Sequence, residues 1–176
     1  MSFIYHGVPD DMRGTHLIPL SGMRRQDPKL AAEYAKKYDG RRKKVMERRI
    51  PLLDCRWDDV VQLLPLHPQK VFALQKELGL ITEIYPYRFY KINVADLDPD
   101  KTAVFFKTAA GEDNVETKWL KDVDLHSLQD LPEATRAYYE TLMGTGELPF
   151  NYQFIPHIVY KGELDISTAQ IITLEP

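Results

Sequence analysis

Cysteine is nearly absent from this chain. A single Cys55 excludes an internal disulfide and any cysteine-clustered zinc site. Long apolar runs are missing as well. None of the 176 residues lies in a stretch near the roughly 20 apolar residues that a membrane-spanning helix needs, so no membrane association is expected. The first residues show no basic region followed by an apolar core, so no signal peptide is expected and a cytoplasmic location is the default. The common catalytic signatures are also lacking. Five histidines (His6, His16, His67, His126 and His157) fall at no HExxH or HxxxH spacing, which removes support for a zinc hydrolase. There is no GxxxxGK(S/T) loop, no GxGxxG and no GxSxG, so phosphate-loop, dinucleotide-fold and serine-hydrolase readings have no footing.

What is present suits a folded domain. Apolar residues make up 44% and charged residues 28%, near the average of soluble proteins, which argues against global disorder. The length fits one domain with a substantial core. The net charge of −3 conceals a segregation: residues 1–50 carry a balance of +6 and residues 51–176 a balance of −9. Such segregation orients a protein towards a polyanion and says nothing of fold.

Local patterns point to early helices and a later sheet. Ser2–Tyr5 reads as a strand ending at His6-Gly7, and His16–Leu20 as a second short strand. Asp27 is a good N-cap with Pro28 at the first helical position, and Leu30, Tyr34 and Tyr38 form an apolar stripe at intervals of four. This helix is expected to stop at Asp39-Gly40, with a basic turn or helix over Arg41–Arg49. Ile50–Leu53 contains Pro51 and suits an edge strand, and Trp57–Leu64 reads as a short buried helix. Further helices are expected over Gln69–Leu78, closed by Gly79, and over Pro132–Met143. Arg88–Val94, Thr102–Thr108, Val115–Leu120, Phe154–Tyr160 and Ile166–Leu174 carry strand signals, with a hairpin turn at Ala110–Asn114. The expectation is a single α+β domain over residues 1–176, its sheet mostly antiparallel. Its core should bury Ile4, Val71, Leu74, Val104, Phe106, Ile158 and Ile171.

Two short motifs at opposite ends of the chain suggest chemistry. Ile4-Tyr5-His6-Gly7 and Gly162-Glu163 each follow an apolar segment and can occupy neighbouring strands. Together they resemble the framing motifs of the ADP-ribosyltransferase superfamily, which includes poly(ADP-ribose) polymerases and RNA 2′-phosphotransferases. The family's histidine motif usually continues with Thr or Ser, where this chain has Val8. The resemblance implies NAD as the cofactor. It also implies that His6 bonds a ribose hydroxyl and that the Gly7 backbone pairs with the nicotinamide amide. Glu163 would then stabilise the oxocarbenium-like charge as nicotinamide leaves. An aromatic ring stacks on nicotinamide in that family, and Tyr85, Tyr87 and Tyr90 are the available candidates, the first two the more open.

Other residues admit plainer roles. Cys55 reads as a small buried apolar residue near a strand end, and Asp96, Asp98 and Asp100 as a solvated acidic loop. Tyr85 and Tyr87 equally suit exposed bases, while Phe89 suits the core. The basic residues Arg41, Arg42, Lys43, Lys44, Arg48 and Arg49, with Arg24, Arg25, Lys36 and Lys37, could line a phosphate backbone. That fits a transferase acting on nucleic acid, since several members of the resembled superfamily do so. It fits equally a nonenzymatic module that binds nucleic acid or a protein partner. If the segment binds a polyanion, changing Arg41, Arg42, Lys43 and Lys44 together to Glu should weaken binding and flatten its salt dependence. A titration against single-stranded nucleic acid at several salt concentrations checks this, and salt-independent or absent binding by the parent removes the idea.

Overall fold

The structure, a computed structural model, describes residues 2–36, 43–107 and 115–176, with the backbone alone at Lys43 and Lys44. The expected helix stop at Asp39-Gly40 and the hairpin turn at Ala110–Asn114 lie outside the described residues.

The chain begins with strand β1 (Phe3–Gly7) and a short β2 (His16–Leu17), then helix α1 (Leu20–Gln26), which the sequence patterns did not suggest. Helix α2 (Pro28–Ala35) starts as its sequence dictates: Asp27 accepts a hydrogen bond from the Leu30 amide at 3.0 Å, and Pro28 fills the first turn, where no amide is needed. Helix α3 (Lys43–Met46) falls within the expected basic segment, and Arg49 already belongs to strand β3 (Arg49–Ile50). Strands β4 (Cys55–Arg56) and β5 (Val60–Leu63) follow. The buried helix expected over Trp57–Leu64 is therefore not formed. Only Trp57–Asp59 makes a 3₁₀ turn, in which the Asp59 carboxylate accepts from the Arg56 amide. Val60 and Val61 then favour a strand because β9 offers a ladder to pair with, and tertiary pairing overrides the local pattern.

Helix α4 (Gln69–Glu77) ends where expected. Gly79 takes a left-handed φ of +71°, so the Leu80 amide can reach the Gln75 carbonyl and the Gly79 amide that of Lys76. Strands β6 (Arg88–Asn93), β7 (Thr102–Lys107) and β8 (Val115–Trp119) precede helix α5 (Glu133–Leu142). Strands β9 (His157–Lys161), β10 (Leu164–Asp165) and β11 (Gln170–Thr173) complete the order.

Every strand pair among the described residues is antiparallel, and the fold is α+β. One sheet runs β1-β6-β11 and the other β5-β9-β7-β8, with β10-β2 and β3-β4 as small ribbons. The two sheets meet where Tyr5 and Leu64 exchange backbone hydrogen bonds of 2.9 and 2.8 Å. Alternation along each strand sorts the side chains. Ile4, Tyr90 and Ile92 of one sheet share a core with Val61, Val104, Ile158 and Tyr160 of the other. Tyr5 and Phe89 point the other way, to Val71, Phe72 and Leu74 of α4 and Tyr139 of α5. Ala103, Phe105 and Val159 pack outward against Ile50, Leu53 and Trp57.

The expected core residues are buried with two exceptions. Phe106 is half-buried, and Ile171 is 53% exposed. Ile172 and Leu174 turn towards the α4 side, so Ile171 faces the opposite way at a sheet edge, beyond the reach of the inner core.

His157 is packed between the rings of Trp57 and Tyr152 and donates from Nδ1 to the Ile155 carbonyl. Burial pushes its pKa down to about 4, and the Lys107 ammonium acts in the same direction, against the opposing hydrogen bond. The folded protein thus prefers neutral imidazole, and the unfolded chain binds more protons between pH 6.5 and 4. Stability should fall as pH drops through that window, by at most about 1.4 kcal/mol per pH unit from this group. Urea melts across that range should show a shallower dependence for His157→Gln. An unchanged slope would clear His157 of the effect.

Candidate active site

A cleft of about 380 Å³ opens beside the junction of the two sheets. Its size lies at the low end of the roughly 300–1,000 Å³ typical of small-molecule sites. Strand β1 contributes His6, β2 contributes His16, α1 contributes Met23 and Gln26, and α2 contributes Leu30 and Tyr34. Further wall comes from the loop after β1, with Asp11, Met12 and Arg13, from Met46 of α3 and from the Trp57–Gln62 region. The stripe of α2 that reads as a core face thus has Leu30 and Tyr34 on the cleft, while Ala31 is the buried contact. Burial raises the Tyr34 phenol pKa, and the carboxylates of Asp11 and Asp10 add to the rise.

His6 and Gly7 stand where β1 loses its neighbour. The register Gly7↔Phe89, together with the bond from the Val8 amide to the Arg88 carbonyl, makes Gly7 a non-hydrogen-bonded position of the β1–β6 ladder. Its N–H and C=O therefore turn away from β6, towards the β5 side. Among the described residues the β1–β5 contact is the single bridge Tyr5↔Leu64, and it does not continue to Gly7 and Gln62. Gly7 itself does not line the cleft, whereas its strand neighbour His6 and the β5 residue Gln62 do. Nδ1 of His6 lies 2.6 Å from the Gly7 carbonyl oxygen. A carbonyl only accepts, so this bond assigns the proton to Nδ1 and makes Nε2 the acceptor in the neutral ring.

Glu163, from the far end of the chain, does not line the cleft but is tied to one of its wall residues. Gly162 ends the β9 stretch with a φ of +89°, and its amide donates to the Asp59 carbonyl at 3.2 Å. This turn delivers Glu163 just before β10, whose Leu164 pairs with Leu17 of β2. Glu163 is exposed, and its Oε1 accepts from Nε2 of Gln26 at 2.8 Å. Gln26 and His6 both line the cleft, and Glu163 is linked to it through Gln26.

The cleft wall also holds a buried acid that sequence reasoning missed. Asp58 is 4% exposed and receives Nη1 of Arg24 at 2.5 Å on Oδ2. Nε of Arg56 stands 3.4 Å from Oδ1, an ion-pair distance. Asp59 beside it faces opposing influences: burial raises its pKa, while the Arg56 amide, the Ser21 hydroxyl and nearby guanidinium groups lower it to a net decrease. The local signal was the Arg56-Trp57-Asp58-Asp59 run, whose meaning depends on Arg24 arriving from a distant helix.

Other expected residues lie elsewhere. Tyr85 and Tyr87 are not cleft residues; their rings touch each other at 4.8 Å, and Tyr87 packs on Phe72 of α4 at 5.3 Å. Tyr90 is buried in the inner core. Strand parity explains the separation, since the Phe72 side of the sheet is opposite the face that carries Ile4 and His6. The aromatic side chains at the cleft are Tyr34 and Trp57. Of the basic residues, Arg41 and Arg42 lie outside the described residues, as do the side chains of Lys43 and Lys44. Arg48 stands over the Phe105 ring at 5.9 Å, and Arg49 pairs with Asp54 at 3.0 Å. Cys55 is buried, and its thiol pKa is pushed up to about 11 by burial, so it is no ready nucleophile.

The chain matches no protein-family model, no curated protein and no solved structure.

The contrast between two ion pairs is testable. Arg24→Met removes a donor from a buried carboxylate and should cost about 1–3 kcal/mol. Arg49→Met breaks the Arg49–Asp54 pair, which is exposed on each side, and should cost no more than about 1 kcal/mol. Denaturant melts of the two variants should differ accordingly, and equal losses would show that Asp58 does not depend on Arg24.

Proposed function

We propose that the protein is an NAD-dependent ADP-ribosyltransferase-like enzyme acting on a nucleic-acid acceptor. What supports this reading is that His6 lines a cleft whose wall residue Gln26 hydrogen-bonds Glu163, so that residues from opposite ends of the chain are linked around it. NAD, consumed as a substrate, supplies an ADP-ribosyl group whose bond to cationic nicotinamide is already weak.

The residues present fit such a ligand. Nε2 of His6, an acceptor in the tautomer set by its Nδ1–H bond, suits a ribose hydroxyl. The outward-turned N–H of Gly7 suits an amide oxygen. Tyr34 and Trp57 supply aromatic surface at the cleft in place of Tyr85 and Tyr87. The volume accommodates one nucleoside half, with the remainder extending out of the mouth.

In this arrangement His6 fixes the sugar, and Glu163 brings negative charge to the side from which nicotinamide departs. Gln26 holds the Glu163 carboxylate in place through its amide, so the charge is oriented before the bond breaks. As the C1′–N bond opens, the electron pair leaves with nicotinamide, and the acceptor's nucleophile forms the new bond to C1′ while losing its proton. The nucleic-acid acceptor is favoured by the position of α3. Met46 of α3 lines the cleft, and Lys43 and Lys44 precede it in the same helix.

Release of nicotinamide from labelled NAD, with and without single-stranded RNA or DNA, tests this reading. Glu163→Gln and His6→Ala should each slow the reaction by about 100- to 1,000-fold, the scale of losing one aimed electrostatic contact. Equal rates in parent and Glu163→Gln would clear Glu163 of the role, and a parent that neither hydrolyses NAD nor transfers label would end the proposal.

A further inference from the structure

The face of β1 turned away from His6 carries a second, smaller opening. Phe3, Tyr5, Pro65, His67, Lys70 and Gln129 line a pocket of about 190 Å³, and none of them lines the cleft. Tyr5 is 8% exposed, and its backbone N–H and C=O are both spent on Leu64. Burial raises the pKa of its phenol and no hydrogen bond modifies the rise, so the hydroxyl stays protonated and has no partner among the described residues. Oδ1 of Asp58 is the sole side-chain polar atom among them that is both enclosed and without a hydrogen bond, so the Tyr5 hydroxyl is not sealed in the core. The open space that Tyr5 borders is this pocket. A polar group so deeply set is ordinarily satisfied by a partner.

The neighbours of Tyr5 are donors. The His67 ring stands edge-on to the Tyr5 ring at 5.0 Å, and its Nδ1 accepts from the Gln69 amide at 3.2 Å. An amide only donates, so the neutral ring carries its proton on Nε2. Lys70 spends two of its three protons on the Gln129 carbonyl and the Asp130 carboxylate. Lys91 pairs with Tyr5 across the β1–β6 ladder, and its Nζ lies 4.2 Å from the centre of the Phe3 ring. Two carboxylates stand nearby. The Asp130 side chain is 88% exposed, so solvent weakens its hold on Lys70. Burial first, then the Lys91 and Lys70 ammonium groups, lower the His67 pKa, and Glu175 opposes them more weakly. The field at the ring is therefore positive. Two ammonium groups and two neutral donors suit a multiply charged oxyanion better than a single carboxylate. The volume holds such an ion with a few waters of about 30 Å³ each, and falls below the roughly 300 Å³ at which sites for larger ligands begin.

We propose that this pocket binds a phosphoryl group, as inorganic phosphate or as the terminal phosphate of a nucleotide, with the Tyr5 hydroxyl, the His67 Nε2–H and the Lys70 and Lys91 ammonium groups as its donors. The site is separate from the cleft, and it stands whether or not NAD is turned over there. A nucleotide would leave its sugar and base outside the opening.

The His67 ring proton resonances, followed at neutral pH and constant ionic strength, read the site directly. Inorganic phosphate should move them saturably, and chloride at the same ionic strength should not. Tyr5→Phe keeps the ring and removes the hydroxyl, and should weaken phosphate binding by about 10-fold or more. Lys91→Met should weaken it as well, while Lys121→Met, on the far sheet, should leave it unchanged. Thermal melting of each variant checks the fold. Titration with adenosine monophosphate and with adenosine separates the two sources. Tighter binding of the monophosphate than of inorganic phosphate, abolished in Tyr5→Phe and absent for adenosine, assigns the site to a nucleotide, and equal binding assigns it to the free ion. Phosphate that moves His67 no more than chloride does, or a folded Tyr5→Phe that binds phosphate as the parent does, overturns the proposal.

Discussion

The exchange of backbone hydrogen bonds between Tyr5 and Leu64 is the junction on which the arrangement depends. It ties the edge of the β1-β6-β11 sheet to the end of the strand that opens the other sheet. The pairing then stops, and Gly7 and Gln62 form no further bridge. A ladder that continued would consume the Gly7 backbone groups and close the space beside them. Because it stops, one core is shared by the inner faces of two sheets, and a gap remains at its margin. The cleft occupies that margin, walled by α1 and α2.

Those two helices are held to the sheet region by polar contacts as well as by packing. Arg24 of α1 reaches the buried Asp58, and Gln26 reaches Glu163. Both contacts come from one short helix, whose only buried residue is Gly22. A helix with so little apolar burial depends on such anchors for its position. The same anchors set the electrostatics of the cleft, so the wall's stability and the site's chemistry share residues. Removing Arg24 therefore disturbs fold and site together, whereas removing Arg49 touches only an exposed pair.

Much of the architecture was legible because it rests on local rules. The Asp27-Pro28 start of α2, the Gly79 stop of α4, and the strands at Arg88–Asn93 and Thr102–Lys107 follow from capping, left-handed glycine and β-branched or aromatic content. The failures have a common cause. Val60–Leu63 became a strand because β9 lies alongside it, and Ile171 is exposed because β11 sits at an edge with its partner face turned to α4. Neither fact exists before the chain is folded.

The same division runs through the candidate site. His6, Gly7 and Glu163 could be singled out from the sequence, because a short apolar strand delivering His-Gly and a turn delivering Gly-Glu are local patterns. Their relation could not, since it requires β2 to pair with β10 and Gln26 to bridge to Glu163. Tyr85 and Tyr87 stood out as aromatic candidates, but strand parity sets them on the Phe72 side, away from His6, while Tyr34, read as part of an apolar helix stripe, lines the cleft. Asp58 was one acid among 26 acidic residues. Only the folded chain buries it between Arg24 and Arg56, because burial and the direction of a carboxylate are properties of contacts between distant segments.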